Sequence, residues 1–314
     1  MTNRSFRAYS LASLLVFCWS LNAIAAPTAG PQRVKDAYPG LASDALASAK
    51  LAVLPVGVLL RSGTVKITRK DLDAEIAKYP EAIRDQLKNN AFFVLERLAT
   101  SDLVTLEARS WAKQNNRKPE DDRNELIKAY FDALTANVVV ADQELKSFYE
   151  DNKGMMGTAT FDKVRDQLKA YLLDQKREEA VDAHIKSAGE RLQIEVSKSW
   201  TARQYTLAMN NPVDKARKSG KPTLVDFGAS GCRPCDMMTP ILDSLKKEYA
   251  GKVNVVFIHV GKEQVLAARY GIQSIPVQVF FDKQGKEFFR HVGFYPKEDI
   301  LAQFEEHGIN LHKE

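Results

Sequence analysis

Thr223-Leu224-Val225-Asp226-Phe227-Gly228-Ala229-Ser230-Gly231-Cys232-Arg233-Pro234-Cys235 is the stretch on which the reading of this 314-residue chain turns. Its first five residues are apolar and β-prone around a single acid, the pattern of a buried strand. Gly228 to Gly231 reads as a flexible turn. From Met237 to Tyr249 the pattern becomes helical, with Met238, Ile241, Leu242, Leu245 and Tyr249 near one face. Cys232 therefore falls at a helix N-terminus, where unpaired N–H groups and the helix dipole favour a thiolate. Arg233 adds a positive charge beside it, and Pro234 suits the first helical turn, where its missing N–H costs nothing. Pro240, inside the helix, is expected to kink it.

Two residues between cysteines let both sulfurs meet across one turn, close enough for a reversible disulfide. The same spacing also serves zinc and copper sites, so the rest of the chain has to decide. Downstream, Val253 to Ile258 reads as a second strand, Gln264 to Arg269 as a helix and Val277 to Phe281 as a third strand. Asp282-Lys283-Gln284-Gly285 is a turn leading to Glu287-Phe288-Phe289-Arg290, and Lys297 to Glu306 is a closing helix. The order β-α-β-α-β-β-α describes a small α/β domain.

Residues 212–308 resemble a thioredoxin domain. The resemblance rests on VDF ahead of C-x-P-C, Pro240 five residues after Cys235, YGIQSIP at 270–276 and VGF at 292–294. It implies an α/β thioredoxin fold and a cis bond before Pro276, facing the disulfide. It also implies that Asp226 is the buried acid that moves protons for Cys235, and that Ile275, Pro276 and Gly293 border the substrate groove. The chain departs from the family's general reductants: Gly228 and Gly231 stand where tryptophans are usual, Arg233 replaces the glycine after the first cysteine, and Phe257 replaces a lysine that pairs with the acid. GCRPCDMMTP and FFDKQGKEFFRHVGF are similar to extracytoplasmic thioredoxins reduced by a membrane carrier of the CcdA or DsbD type.

The amino terminus fits that location. Arg4 and Arg7 precede a mostly apolar run from Leu11 to Ile24, and Ala23-Ile24-Ala25 offers a cleavage site, so residues 1–25 are expected to be a signal peptide. A membrane anchor competes with this reading, although Ser20 and Asn22 break the run. Phe17 before Cys18 does not suit a lipoprotein site. Cleavage would leave Cys232 and Cys235 as the only thiols in an oxidising compartment, the periplasm, where exchange is a better use for a single pair than stapling. Loss of Arg4 and Arg7 lowers the net charge from +5 to +3, and the charges are dispersed, which argues against nucleic-acid binding.

Residues 26–55 are expected to be a linker, 56–200 a helical domain and 201–314 the thioredoxin domain. In the middle, Asp71 to Lys78 is a helix stopped by Pro80, followed from Ala82 by a long helical tract broken near Thr100-Ser101. Glu120 to Ala136 is a helix burying Leu126, Ile127, Tyr130, Phe131 and Leu134; Asp142 caps a shorter one; Phe161 to Leu192 is the last and longest. Val56 to Ile67 and Leu192 to Val196 are β-prone and are expected to pair. VKITRKDLDAEIAKYP at 65–80, VVVADQELKSFYEDNK at 138–153 and LQIEV at 192–196 resemble the mainly α-helical N-terminal chaperone domain of SurA. With only Gly154 to Thr160 between the last two helices, no parvulin isomerase fits there. The plainer reading is a helical spacer or dimerisation domain.

His184, His259, His291, His307 and His312 are dispersed, so no metal site is expected with the cysteines. Met237 and Met238 leave copper(I) capture as an alternative. The expected function is a periplasmic thiol–disulfide oxidoreductase that reduces or isomerises disulfides of exported proteins, with Cys232, Cys235 and Asp226 catalytic and Arg233 and Pro234 tuning the pair. A chaperone with a secondary redox site is the other alternative. No cofactor is implied. The expected partners are disulfide-bearing exported proteins and a CcdA- or DsbD-type donor, with a homodimer left open.

Overall fold

The computed structural model describes residues 32–42, 44–117, 122–151, 153 and 157–311. The expected signal peptide, Cys18, Glu120 and His312 lie outside these residues. From Gln32 onward the chain is one unit.

Among the described residues, the segment expected to be a linker is structured from Gln32 onward. Val34–Ala37 (α1), a 3-10 turn at Ala45–Ser48 and Lys50–Ala52 (β1) follow one another, with Val34 and Leu46 fully buried. Glu96 holds the turn from below: its Oε1 accepts Asp44 N at 3.1 Å and Leu46 N at 3.2 Å. Val58–Ser62 (β2) and Val65–Thr68 (β3) form a hairpin. Thr68 and Asp71 then cap Arg69–Ala77 (α2) reciprocally, which starts the helix two residues ahead of the expected one. Glu81–Asn89 (α3) and Ala91–Gln114 (α4) are separate helices. The break in the long tract falls at Asn90 (φ −115°, ψ 33°), and α4 runs unbroken through Thr100-Ser101.

Arg123–Leu134 (α5) is capped by the Asp122 carboxylate. It packs chiefly on α4, so Leu126 is buried, Ile127, Tyr130 and Phe131 are half-buried, and Leu134 stays on the open side, contrary to the expected face. Asp142–Asp151 (α6) lies against Phe161–Arg191 (α7), and Leu145, Tyr149, Leu168 and Leu172 make a small core of their own. Close packing of α7 on the 3-10 turn depends on Gly189, where a Cβ would come 2.3 Å from the Ala45 carbonyl oxygen. Glu195–Ser197 (β4) then inserts between β1 and β2, parallel to the first and antiparallel to the second. The expected pairing of the two β-prone patches is thus present.

The expected boundary at 200/201 falls inside Lys198–Ala208 (α8). Trp200 stacks on Phe92 with centroids 6.0 Å apart, and Gln204 Oε1 accepts Ala91 N at 3.2 Å, so α8 belongs to the helical lobe. Its weak periodicity hid it in the sequence.

Pro212–Arg217 (α9) opens the second lobe. Thr223–Gly228 (β5), Arg233–Glu248 (α10), Asn254–His259 (β6), Gln264–Arg269 (α11), Val277–Phe281 (β7), Glu287–Val292 (β8) and Lys297–Glu306 (α12) complete it. The sheet order is β6-β5-β7-β8, with β5 parallel to β6 and the other pairs antiparallel. Strand β5 is buried throughout, as its continuous apolar run requires. One core lies under α10 and α12 around Leu224, Met238, Phe280 and Phe304; another gathers Val213, Phe227, Leu266 and Val279. Full burial of side chains of this size contributes about 2 kcal/mol each.

Helix α11 joins the lobes. Gln86 donates to Lys262 O (2.7 Å) and accepts from Val265 N (3.3 Å). Arg269 donates to Asn90 Oδ1 (3.1 Å) and Ala208 O (3.0 Å) and pairs with Asp214 (3.4 Å).

Candidate active site

Strand β5 delivers the chain to a four-residue turn, and α10 begins immediately after Cys232, its N-cap residue. The Cys232 carbonyl accepts the first intrahelical bond, from Asp236 N at 2.9 Å. Cys232 and Cys235 are joined as a disulfide with Cα atoms 5.2 Å apart. Cys232 is half-buried, whereas Cys235 is only 3% exposed, so one sulfur of the pair is open to a partner and the other faces inward.

Behind Cys235 lies Asp226, fully buried in β5. A Cβ placed on Gly228 would sit 3.4 Å from Cys235 Cβ and 3.5 Å from Asp226 Oδ2, so those two atoms are within about 7 Å of each other. The same Cβ would meet Phe257 Cε2 at 3.0 Å, so glycine at 228 keeps the space between acid and thiol open. Burial pushes the Asp226 pKa up to about 6, against a hydrogen bond from Gln278 and the charge of Lys246, which both pull it down. Gln278 Nε2 donates to Asp226 Oδ1 at 2.7 Å; neither Asp226 Oδ2 nor Gln278 Oε1 has a hydrogen-bond partner.

Pro276 precedes β7, whose first residue, Val277, pairs with Phe227 at the end of β5. The Ile275–Pro276 bond is cis, and Pro276 O accepts Gly293 N at 2.8 Å. Val292 pairs with Val277, so Gly293 (φ 106°) continues the same sheet end. Ile275, Pro276 and Gly293 thus stand together at the end of the sheet that β5 leaves to form the cysteine turn.

A family model described as a thioredoxin-like domain matches residues 209–308. Thioredoxin from Alicyclobacillus acidocaldarius is 38% identical over 89 residues, covering 28% of this chain and 84% of its own. The chain belongs to the thioredoxin family. Thioredoxin from Rickettsia felis is 38% identical over 97 residues, 29% of this chain and 91% of its own. The M-type chloroplast thioredoxin of Pisum sativum is 40% identical over 89 residues, 28% of this chain and 51% of its own. All three alignments span under a third of the chain, and the family model begins at Met209, next to the end of α8. The thioredoxin lobe thus supports thiol–disulfide oxidoreductase chemistry.

Within this thioredoxin lobe, Arg233 is exposed and Pro234 sits in the first turn of α10. Met238 is fully buried and its sulfur accepts Tyr295 N at 3.3 Å, while Met237 is exposed. The two methionines therefore lie in different environments. Among the described residues, no three His, Cys, Asp or Glu side chains gather as a metal site.

Two polar residues beside the cysteine turn and the buried acid have no role in the sequence reading, which names His259 only as one of the dispersed histidines. His259 sits beside the turn, its Nε2 3.4 Å from Ser230 N. Gln278 pairs in register with Asp226. Its signal was present as a lone amide inside the apolar run Val277-Gln278-Val279-Phe280-Phe281, where a buried polar group needs a partner.

Proposed function

We propose that this protein is a periplasmic thiol–disulfide oxidoreductase that reduces or isomerises disulfides in exported proteins through Cys232 and Cys235. The observation that carries the reading is the asymmetric pair: an accessible cysteine at a helix N-terminus and a buried one backed by a buried acid. Cys232, as thiolate, attacks a substrate disulfide; a Cys232–substrate bond forms and one substrate sulfur leaves as thiolate. Asp226 takes the proton of Cys235 directly or across one water. The Cys235 thiolate then attacks Cys232 Sγ, forming the internal disulfide and releasing the second substrate sulfur. The substrate gains two electrons and the protein loses two. A membrane carrier of the CcdA or DsbD type would return them, by the same exchange run on its own dithiol.

Pro276 has no N–H to offer, and on this reading the half-buried Ile275 beside it supplies the backbone that pairs with an extended substrate segment. We assign the helical lobe, after its resemblance to the SurA chaperone domain, to holding non-native chains near the disulfide. The α6–α7 hairpin supports that assignment, with Tyr171 exposed on its surface and Val139 exposed just ahead of α6.

Cys232→Ser abolishes reduction of insulin disulfides on this reading; a variant that keeps the activity overturns it. The direction of electron flow is read from the Cys232–Cys235 potential in glutathione buffers. A value near thioredoxin's roughly −270 mV supports a reductase, and one near DsbA's roughly −120 mV a disulfide donor.

A further inference from the structure

Asp226 and Gln278 are register partners in the centre of the thioredoxin sheet, and both are 0% exposed. The amide already donates to one carboxyl oxygen at 2.7 Å. That leaves two acceptors, Asp226 Oδ2 and Gln278 Oε1, buried without a donor. Unpartnered acceptors in a protein interior are costly, and two on adjacent bonded groups call for one explanation. A carboxylic acid and a primary amide in one plane form a closed pair, with N–H donating to one carboxyl oxygen and O–H donating to the amide oxygen. A single proton on Oδ2 would satisfy both orphan atoms.

We propose that Gln278 is a positioning residue for proton transfer at Cys235, holding Asp226 by one hydrogen bond when the carboxyl is ionised and by two when it is protonated. The proposal rests on the thiol–disulfide reading above. Oδ2 is the carboxyl oxygen beside the gap that separates Asp226 from Cys235. The proton leaving Cys235 Sγ arrives on Oδ2 and is then donated to Gln278 Oε1, while Cys235 keeps the electron pair for its attack on Cys232. Removing the proton from Oδ2 breaks that second bond and returns the pair to its starting state.

The surroundings leave Gln278 few competitors for this role. Strand β6 places Phe257 opposite Asp226, α10 contributes Cys235 and the charge of Lys246, and β8 places His291 opposite Gln278. His291 is engaged elsewhere, its Nε2 3.2 Å from Phe294 O and its ring stacked on Tyr295. The raised pKa of Asp226 agrees with a site that keeps a proton into the mildly acidic range.

The test is infrared difference spectroscopy on the full-length oxidised chain, carboxyl-labelled at aspartate, at a pH below about 6. The Asp226 acid carbonyl band, isolated by subtracting Asp226→Asn, is expected at lower frequency in the wild type than in Gln278→Leu. Coincident bands overturn the proposal. The wild type alone also decides it: the Gln278 side-chain carbonyl carbon should titrate with the midpoint of Asp226, because Oε1 gains a bond when Oδ2 is protonated. A flat resonance removes the second bond. In kinetics, Gln278→Leu should slow resolution of a Cys232 mixed disulfide roughly tenfold to hundredfold while leaving the first attack unchanged. Equal slowing of both steps would make Gln278 merely structural. A wild type inert towards disulfides would defeat the functional reading and leave the spectroscopic result standing.

Discussion

Asp214 at the seam between the lobes and Asp226 behind the disulfide are buried to nearly the same degree, at 2% and 0% exposed, yet the fold surrounds them differently. Asp214 is met by Asn211 Nδ2 (2.6 Å), Tyr270 OH (2.9 Å), Arg217 (3.1 Å) and Arg269 (3.4 Å), with both carboxyl oxygens engaged. Asp226 is met by one neutral amide on one oxygen. Two cations and two further donors make Asp214 a fixed joint between α9, α11 and the helical lobe. A single donor leaves Asp226 able to change its protonation state, and that state is what thiol exchange consumes. Donor count, more than burial, separates a structural acid from a proton carrier here.

The comparison is broken most severely at the seam. Asp214→Ala removes the ion-pair partner of the buried Arg269 and should cost about 3–5 kcal/mol in urea unfolding. An unchanged midpoint would show that the seam does not need its acid.

Next in size is Asp226→Asn. An ordinary aspartate pKa of 3.8 raised to about 6 means that the ionised folded chain is disfavoured by about 3 kcal/mol. The unfolded chain ionises first, so this penalty is absent below about pH 4, grows up to about pH 6 and is constant above. Asn should therefore stabilise the oxidised protein by up to about 3 kcal/mol at neutral pH and by nothing at pH below about 4, while resolution of mixed disulfides slows. A gain independent of pH would detach it from ionisation.

The smallest effect is expected at Gly228→Ala. The new methyl must displace Phe257 by a few tenths of an ångström, at about 1–2 kcal/mol in thermal unfolding, and it fills the gap between acid and thiol. Slower resolution with little loss of stability sharpens the comparison. Loss of stability alone blunts it.

Legibility in the sequence follows the same division. The thioredoxin lobe was readable because its strands are short continuous apolar runs between glycine-bearing turns, and because Cys232, Cys235, Asp226 and Pro276 are unusual residues in decisive places. Gln278 was passed over because it breaks an apolar strand without breaking its β character. The helical lobe was harder. Long helices such as α7 announce themselves by periodicity, but Val34 and Leu46 lie in pieces too short for any period, Trp200 lies in a weakly periodic helix, and all three become core only through partners far along the chain. Asn90 ends one helix and begins the next by its own backbone conformation, which residue type alone does not reveal.

Strand β4 lies between β1 and β2 in the smaller sheet, yet it is the last strand of its lobe to be made. In a chain delivered amino end first, Leu51 and Leu60 wait for Val196, their register partner, until the whole of α7 has emerged. Pairing across so long a stretch of chain is slow. The thioredoxin sheet faces no comparable delay, since its strands arrive close together from Thr223 to Val292. The time during which this protein is vulnerable to proteases and self-association is therefore governed by its amino-terminal lobe, however quickly its smaller redox lobe folds.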